Sequence, residues 1–441
     1  MPKHENVKNS YDVIIIGAGI SGLACAKTLH DAGKNVCVLE AKQRIGGRLH
    51  SVLDQQDVLD LGASWIHGIE HNPIWDITQN NKIETYVYNY VNSDYFFDGS
   101  RAFTDEQKQQ FLNAVHFIEN ELAQYPNHCA ADALRLILNK LNVDVSAFHL
   151  DELRTMLEAY FQKIANDPFA TELEYLSAQY PQLEGYFAGD EVIFPQGYTQ
   201  ILDCISNGLD IQLSTQVEQI TLLKDTVQVR TTTGEIFIAK QIVLSVSLGM
   251  LKQEKIQFIP SLPEAHLAAI SKLGFGSFNK VFFELNESLN LQQDIDVNSF
   301  FYYVNEQWLN LLDLSKIYNK PMYLMLFGGK SSEFIDRSTD VEVWHFIYQN
   351  LKLALPNLPS QPEKMVVTRW GADEHCFGAF SFPTTGHSEL WVNTLNEPVS
   401  NRIFFTGEHC SVQYAGTVHG AYLNGVEKAN KLLARDTVFE S

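Results

Sequence analysis

Asp12-Val13-Ile14-Ile15-Ile16-Gly17-Ala18-Gly19-Ile20-Ser21-Gly22, followed by Val36-Cys37-Val38-Leu39-Glu40, decides how this chain folds. Residues 12–16 are an apolar, β-branched run suited to a buried parallel strand. Three glycines then let the backbone turn tightly and approach a pyrophosphate closely. A helix is expected over 21–31, with Gly33 as its stop, and its unpaired N–H groups and positive dipole end favour an anion. Gly17, Gly19, Ser21 and Gly22 are the candidate phosphate-binding residues. A second strand ends at Glu40, near the spacing at which a carboxylate accepts hydrogen bonds from an adenosine ribose. A glycine-rich turn alone is a weak signal; strand, helix, strand and acid in this order make a dinucleotide-binding βαβ unit. Glu40, with no basic residue placed for a 2′-phosphate, favours FAD or NAD over NADP.

The next residues choose between them. Ala41-Lys42-Gln43-Arg44-Ile45-Gly46-Gly47-Arg48 resembles the RxGGR extension of the flavin-dependent amine oxidase family, in which backbone and arginines continue along the FAD pyrophosphate. The resemblance puts Ala41, Arg44, Gly46, Gly47 and Arg48 at the cofactor, and a guanidinium is a fork of donors matched to phosphate. Asp60-Leu61-Gly62-Ala63-Ser64-Trp65-Ile66-His67-Gly68, then Asn72-Pro73-Ile74, is similar to polyamine and spermine oxidases and adds Gly62, Ala63, Ser64 and Trp65. Towards the other end, Arg402-Ile403-Phe404-Phe405-Thr406-Gly407-Glu408-His409 reads as a buried strand entering a turn, and Thr417-Val418-His419-Gly420-Ala421-Tyr422 opens a last helix. The resemblance implies that Gly407 and Glu408 lie at the flavin's ribityl-phosphate arm. It also implies that N–H groups of Thr417 and Val418 face the pyrimidine edge, where the helix dipole stabilises negative charge. Val217 would meet the adenine through its backbone, and Trp370 would complete the cofactor wall.

The implied fold class is α/β: a Rossmann-like FAD-binding domain (1–80, 191–279 and 396–441) interleaved with a substrate-binding domain of mixed sheet and helices (81–190 and 280–395). Segments 211–220, 226–232 and 235–245 read as β-rich. Residues 107–124, 151–166 and 341–355 carry helical periodicity. The chain has 441 residues, 45% of them hydrophobic, enough for a large core in two or three domains. The start Met1-Pro2-Lys3-His4 lacks a signal-peptide h-region and no window approaches a membrane span, so a soluble, cytoplasmic protein without a membrane partner is expected. The cysteines at 25, 37, 129, 204, 376 and 410 have no disulfide-framework or metal spacing, and no metal is expected. Lys and Arg number 32 against 53 Asp and Glu, a net charge of −21 that disfavours nucleic acid and steers cationic ligands inward.

Leu273-Gly274-Phe275-Gly276-Ser277-Phe278-Asn279-Lys280-Val281-Phe282-Phe283 resembles the family segment whose lysine holds a water beside flavin N5. Alternation puts Phe278, Lys280 and Phe282 on one face. Phe380 and Tyr414 correspond to the two aromatic walls of the substrate site, with Phe380 standing where many relatives have Tyr. Ala379 occupies the place of the flavin-bonding cysteine of monoamine oxidases, so FAD is expected to be held non-covalently. His67 is a candidate for a second substrate nitrogen or for a proton. Glu172, Glu174 and Glu184 are candidates for distal ammonium groups. The implied reaction passes a hydride from a cationic amine, a polyamine such as spermine, spermidine or an acetylated form, to flavin N5. Dioxygen then becomes hydrogen peroxide, and water hydrolyses the imine. A monoamine or L-amino-acid oxidase, a methyl-lysine demethylase and a non-catalytic flavoprotein stay open as alternatives.

Overall fold

A computed structural model describes residues 7–89, 92–97, 101–141, 146–183, 185–291, 297–386 and 389–439. The first strand, Val7–Ile16, lies inside an eight-stranded sheet with Ile14 and Ile15 wholly buried, as a strand covered on both faces requires. It pairs in parallel with Val36–Leu39 on one side and Ile236–Leu244 on the other, and Asp210–Gln212 extends the parallel run beyond Val36–Leu39. Strand Ile236–Leu244 has a divided far edge. Its first half pairs antiparallel with Val227–Thr231, and its second half pairs parallel with Ile403–Phe405. Val217–Leu222 and Gln257–Ile259 complete the sheet. All the parallel strands point one way, so Ile16, Leu39, Leu244 and Phe405 end at one rim, the place where open α/β sheets bind ligands.

The helix after the first strand, Ile20–Asp31, packs against the closing helix Val418–Phe439. It leaves the strand through Gly17, whose φ of +105° suits glycine, and it closes where Gly33 N–H donates to His30 O at 2.9 Å. The stretch expected to be one β segment at 211–220 divides in two. Between Asp210–Gln212 and Val217–Leu222 the chain turns back so that Ser214 and Thr215 N–H donate to Lys42 O and Glu40 O, at 2.9 and 2.8 Å.

A second sheet has seven strands in the order Lys364–Val367, Phe278–Glu284, Met322–Gly328, Gln307–Asp313, Ser299–Val304, Ser93–Phe97 and Arg101–Ala102. Val281 and Phe283 face helix Asp340–Ala354, where the Phe283 ring meets Trp344 at 5.3 Å. Phe278 and Lys280 point to the other side, into a cavity. Helices Asp105–Leu122 and Leu150–Asn166 lie over that side, the second tied to the sheet by Trp308 Nε1–H, which donates to Met156 O at 2.9 Å. The first begins two residues earlier than periodicity suggests, because Thr104 and Gln107 form a reciprocal capping box.

Gly22 sits where helix and strand come closest: a Cβ there would lie 2.1 Å from Gly17 O. Gly22→Ala should therefore lower unfolding stability by about 2 kcal/mol in urea titrations. A change within experimental error would mean the helix does not press on the strand.

Candidate functional site

A cavity of about 860 Å³ opens at the carboxyl rim of the first sheet and continues across the inner face of the second. Its first part is a cradle of backbone. Gly17, Gly19 and Ser21 line it, facing Gly46, Gly47 and Arg48. The N-cap of helix Ile20–Asp31 is Gly19, no side chain caps it, and a Cβ at Gly19 would meet nothing within 4 Å, so uncommitted N–H groups border open space. At one end, the buried Glu40 carboxylate accepts from Ala18 N–H at 2.7 Å and Lys42 N–H at 2.9 Å, which leaves lone pairs for a further donor. Ala41 and Val217 border the same end. At the other end Thr417 and Val418 open the closing helix, with the Thr417 hydroxyl accepting from Gly420 N–H at 2.9 Å. Uncommitted donors at a helix start, a carboxylate one strand away and a second helix start beyond fit a dinucleotide.

Arg48 crosses this cradle to Glu408. Its Nη1 donates to Glu408 Oε1 and to Ala379 O, both at 2.7 Å. The other carboxylate oxygen accepts from the Ser381 hydroxyl at 2.5 Å and Gly416 N–H at 3.0 Å. Burial alone would raise the Glu408 pKa, but Arg48, His409 and the Ser381 bond outweigh it and hold the carboxyl below its usual range. Glu408 and Gly407 do line the cavity, yet the carboxylate is committed to protein donors and acts as the anchor of Arg48. Two expected cofactor residues do not reach the cavity. Arg44 turns its guanidinium to the carbonyls of Gly47, Ile45 and Leu49, at 2.8, 3.1 and 3.2 Å, and supports the glycine turn from behind. Gly22 serves close contact between helix and strand instead.

Lys280 lies at the junction of the two parts and is 4% exposed. Its Nζ donates to Asp60 O at 3.0 Å, Gly62 O at 2.5 Å and the Ser64 hydroxyl, and stands 5.4 Å from the Trp65 ring centre. Burial pushes its pKa down towards neutrality while Asp60 opposes the shift; burial likewise raises Asp60, whose Oδ1 accepts from Ser51 Oγ and Tyr198 N–H. Gly62, Ala63, Ser64 and Trp65 form the adjoining wall, and Trp370 fixes it by donating Nε1–H to Leu61 O at 2.9 Å.

Phe380 and Tyr414 both line the cavity, each backed by another ring. Phe278 supports Phe380 at 5.6 Å, and Phe187 stacks on Tyr414 at 5.0 Å with 12° between planes. His419 stands edge-on to Tyr414 and Phe187; burial, then the charge of His67, lowers its pKa to about 4 and keeps it neutral. His67 is 46% exposed, borders the cavity and pairs through Nδ1 with Glu191 at 3.0 Å. Phe187 has no sequence signal, lying in a loop without periodicity.

The acids proposed for distal ammonium groups are elsewhere. Glu172 accepts from Lys330 N–H at 2.6 Å and Gln162 Nε2 at 3.0 Å, away from the cavity; Glu174 is exposed and does not border it. Glu184 lies outside the described residues. Glu119 and Asp167 reach the wall instead.

Residues 20–433 match the family model for flavin containing amine oxidoreductase. Polyamine oxidase 3 of Oryza sativa subsp. japonica is 29% identical, over 98% of this chain and 91% of its own. Lysine-specific histone demethylase 2 of Homo sapiens is 28% identical over 98% of this chain, which spans 54% of that protein. A redesigned putrescine oxidase has the same fold at a TM-score of 0.77 and 20% identity, covering 97% of this chain and 99% of its own.

Arg48→Ala leaves Glu408 buried without its cation and should cost about 3 kcal/mol of stability at neutral pH. Because the folded pKa of Glu408 is lowered, its contribution is present above the ordinary carboxylate range and lost as pH falls through the folded value. The variant should therefore lose stability less steeply in acid than the parent, as read from denaturation midpoints between neutral and acid pH.

Proposed function

Because the chain belongs to the flavin-containing amine oxidoreductase family, we propose that it is a polyamine oxidase that holds FAD non-covalently and uses dioxygen as oxidant. One observation carries this reading: a single cavity joins the dinucleotide cradle to an aromatic, largely apolar chamber, with buried Lys280 where they meet. When bound, FAD accepts a hydride from the carbon beside the amine nitrogen and returns the electrons to dioxygen as hydrogen peroxide.

The chain supplies everything else. Tyr414 and Phe380, braced by Phe187 and Phe278, present π-faces to the reacting amine and keep water from the reacting carbon. Neutral His419 braces Tyr414 without placing a second positive charge beside the substrate. With its three ammonium protons taken by Asp60 O, Gly62 O and the Ser64 hydroxyl, Lys280 would hold a water only through the lone pair of its neutral form, and burial, which lowers its pKa, favours that form for proton exchange during imine hydrolysis or oxygen reduction. His67, oriented by Glu191, accepts a further substrate nitrogen at the rim. Ala379 gives the flavin no thiol, and burial pushes Cys376 and Cys410 up to about 11 and about 12, which keeps both protonated and unreactive.

An amino-acid substrate would need a guanidinium for its carboxylate. Arg48 is committed to Glu408, and Arg369 donates to Ser338 O and Asp340 without bordering the cavity.

Anaerobic mixing with spermine, spermidine, their acetylated forms, monoamines and amino acids should bleach the oxidised flavin band with polyamines alone. Bleaching only by monoamines or amino acids would overturn the substrate assignment, and bleaching only by a methyl-lysine peptide would favour the demethylase relatives. Lys280→Met should slow the oxygen-dependent or hydrolytic half of turnover about 100-fold. Its anaerobic bleaching should stay close to that of the parent, which stopped-flow absorbance separates.

A further inference from the structure

We propose that Asn279, beside Lys280 in the chain but on the opposite face of the sheet, is the positioning residue that fixes the backbone oxygens receiving the Lys280 ammonium. Asn279 is wholly buried, and strand alternation places it with Val281 and Phe283 on the side away from the cavity. A buried amide in that layer is costly unless each of its hydrogen-bonding sites is met. All of them are met, and from three directions.

The Asn279 Oδ1 accepts from Trp370 N–H at 2.8 Å and from the Thr368 hydroxyl at 3.1 Å. Its Nδ2 donates to Asp336 Oδ1 and Ser332 Oγ, both at 2.8 Å and both on helix Gly329–Arg337. A backbone N–H only donates and a carboxylate only accepts, so these partners fix which end of the amide carries the oxygen. Asp336 is held in turn by the Ser277 hydroxyl at 2.7 Å and Gly371 N–H at 3.2 Å.

Two paths lead from this amide to Lys280. The short one runs through Thr368, whose Oγ1 accepts from Lys280 N–H at 2.8 Å while its own N–H donates to Lys280 O at 3.0 Å. The lysine's backbone is thereby held on both sides. The long path runs through Trp370, anchored on Asn279 by its N–H and donating its indole Nε1–H to Leu61 O at 2.9 Å. The carbonyls flanking Leu61, those of Asp60 and Gly62, are two of the three acceptors at Lys280 Nζ, with the Ser64 hydroxyl as the third. Backbone and tip of one side chain are thus both referred to a single amide. Deleting that amide frees the indole, and with it the 60–64 segment. Water then reaches Nζ and relieves the burial that holds the lysine's pKa down.

This inference rests on the reading of Lys280 given above. Holoenzymes of Asn279→Ala, Asn279→Asp, Trp370→Phe and Lys280→Met are compared with the parent, with flavin content and thermal melting recorded for each. Each is reduced anaerobically and mixed with oxygenated buffer over a range of pH, and stopped-flow absorbance gives the rate of flavin reoxidation. In the parent the rate should rise with pH through a midpoint below the ordinary lysine range, a step absent from Lys280→Met. Asn279→Ala should move that midpoint up by about one pH unit, which slows reoxidation at neutral pH about tenfold. Trp370→Phe keeps Asn279 and breaks only the far end of the long path, so its midpoint should move the same way. Asn279→Asp keeps the oxygen that accepts from Trp370 and Thr368, and a carboxyl beside Asp336 retains a proton to share, so its midpoint should stay within about half a pH unit of the parent's. An unmoved midpoint in Asn279→Ala and Trp370→Phe, whatever their loss of melting temperature, would overturn the assignment and leave Asn279 a purely structural residue; if one of the two fails to hold flavin, the other decides. A parent whose profile matches that of Lys280→Met would remove the role of Lys280 and this inference with it.

Discussion

The ion pair of Arg48 with Glu408, residues 360 positions apart, is the interaction on which the rest of the site depends. Arg48 follows the glycine turn that faces the first helix, and Glu408 follows the last strand of the first sheet. Burying two opposite charges is costly unless the remaining lone pairs and protons are also answered. Here Ala379 O takes a second Arg48 donor, while Ser381 and Gly416 N–H occupy the other side of the carboxylate. The pair therefore draws the glycine turn, the strand bearing Phe380 and the loop bearing Tyr414 onto a common centre. Cofactor cradle and aromatic chamber are held in register by the same few bonds.

Lys280 imposes a second constraint. Its strand pairs residue by residue with Met322–Gly328, Lys280 opposite Leu326, and its odd-numbered neighbours Val281 and Phe283 are buried under helix Asp340–Ala354. A shift of one residue would turn the ammonium into that apolar layer and Val281 into the cavity. Register is thus specified by two incompatible environments on either side of one sheet. The cost of burying the ammonium is offset by oxygen acceptors from the 60–64 segment and by the Trp65 ring face. That segment is fixed in turn by Trp370, so the lysine's surroundings are set before any ligand arrives.

Much of this was legible in the chain because it depends on local chemistry. The apolar run before Gly17, the glycines ahead of the helix expected over 21–31 and the acid at Glu40 fall in one short stretch whose order alone marks a βαβ unit. Helix positions followed the apolar period closely, with starts moved by caps such as Thr104. Side-chain direction was less accessible. Arg44 and Arg48 look alike in the sequence, and only the fold shows one turned to carbonyls and the other to Glu408. Phe187 acquires its place from stacking on Tyr414 across a long separation. Glu119 sits on a face whose period is visible, but the period marks a covered face without telling whether protein or a cavity covers it. The candidates Glu172 and Glu174 failed for the same reason: acidic residues near the right segment carry no information about which way they point.

The divided edge of strand Ile236–Leu244 also bears on how the protein is made. Ile242, Val243 and Leu244 receive their outer partner only when Ile403–Phe405 has been synthesised, about 160 residues later. At translation speeds of about 5–20 residues per second, that leaves an apolar strand edge unpaired for roughly 8–30 s. Such an edge is a template for pairing with another copy of itself. The nascent chain is therefore most prone to self-association while the first sheet is nearly complete, and recovery of soluble protein depends on translation rate and chaperone supply as much as on the stability of the finished fold.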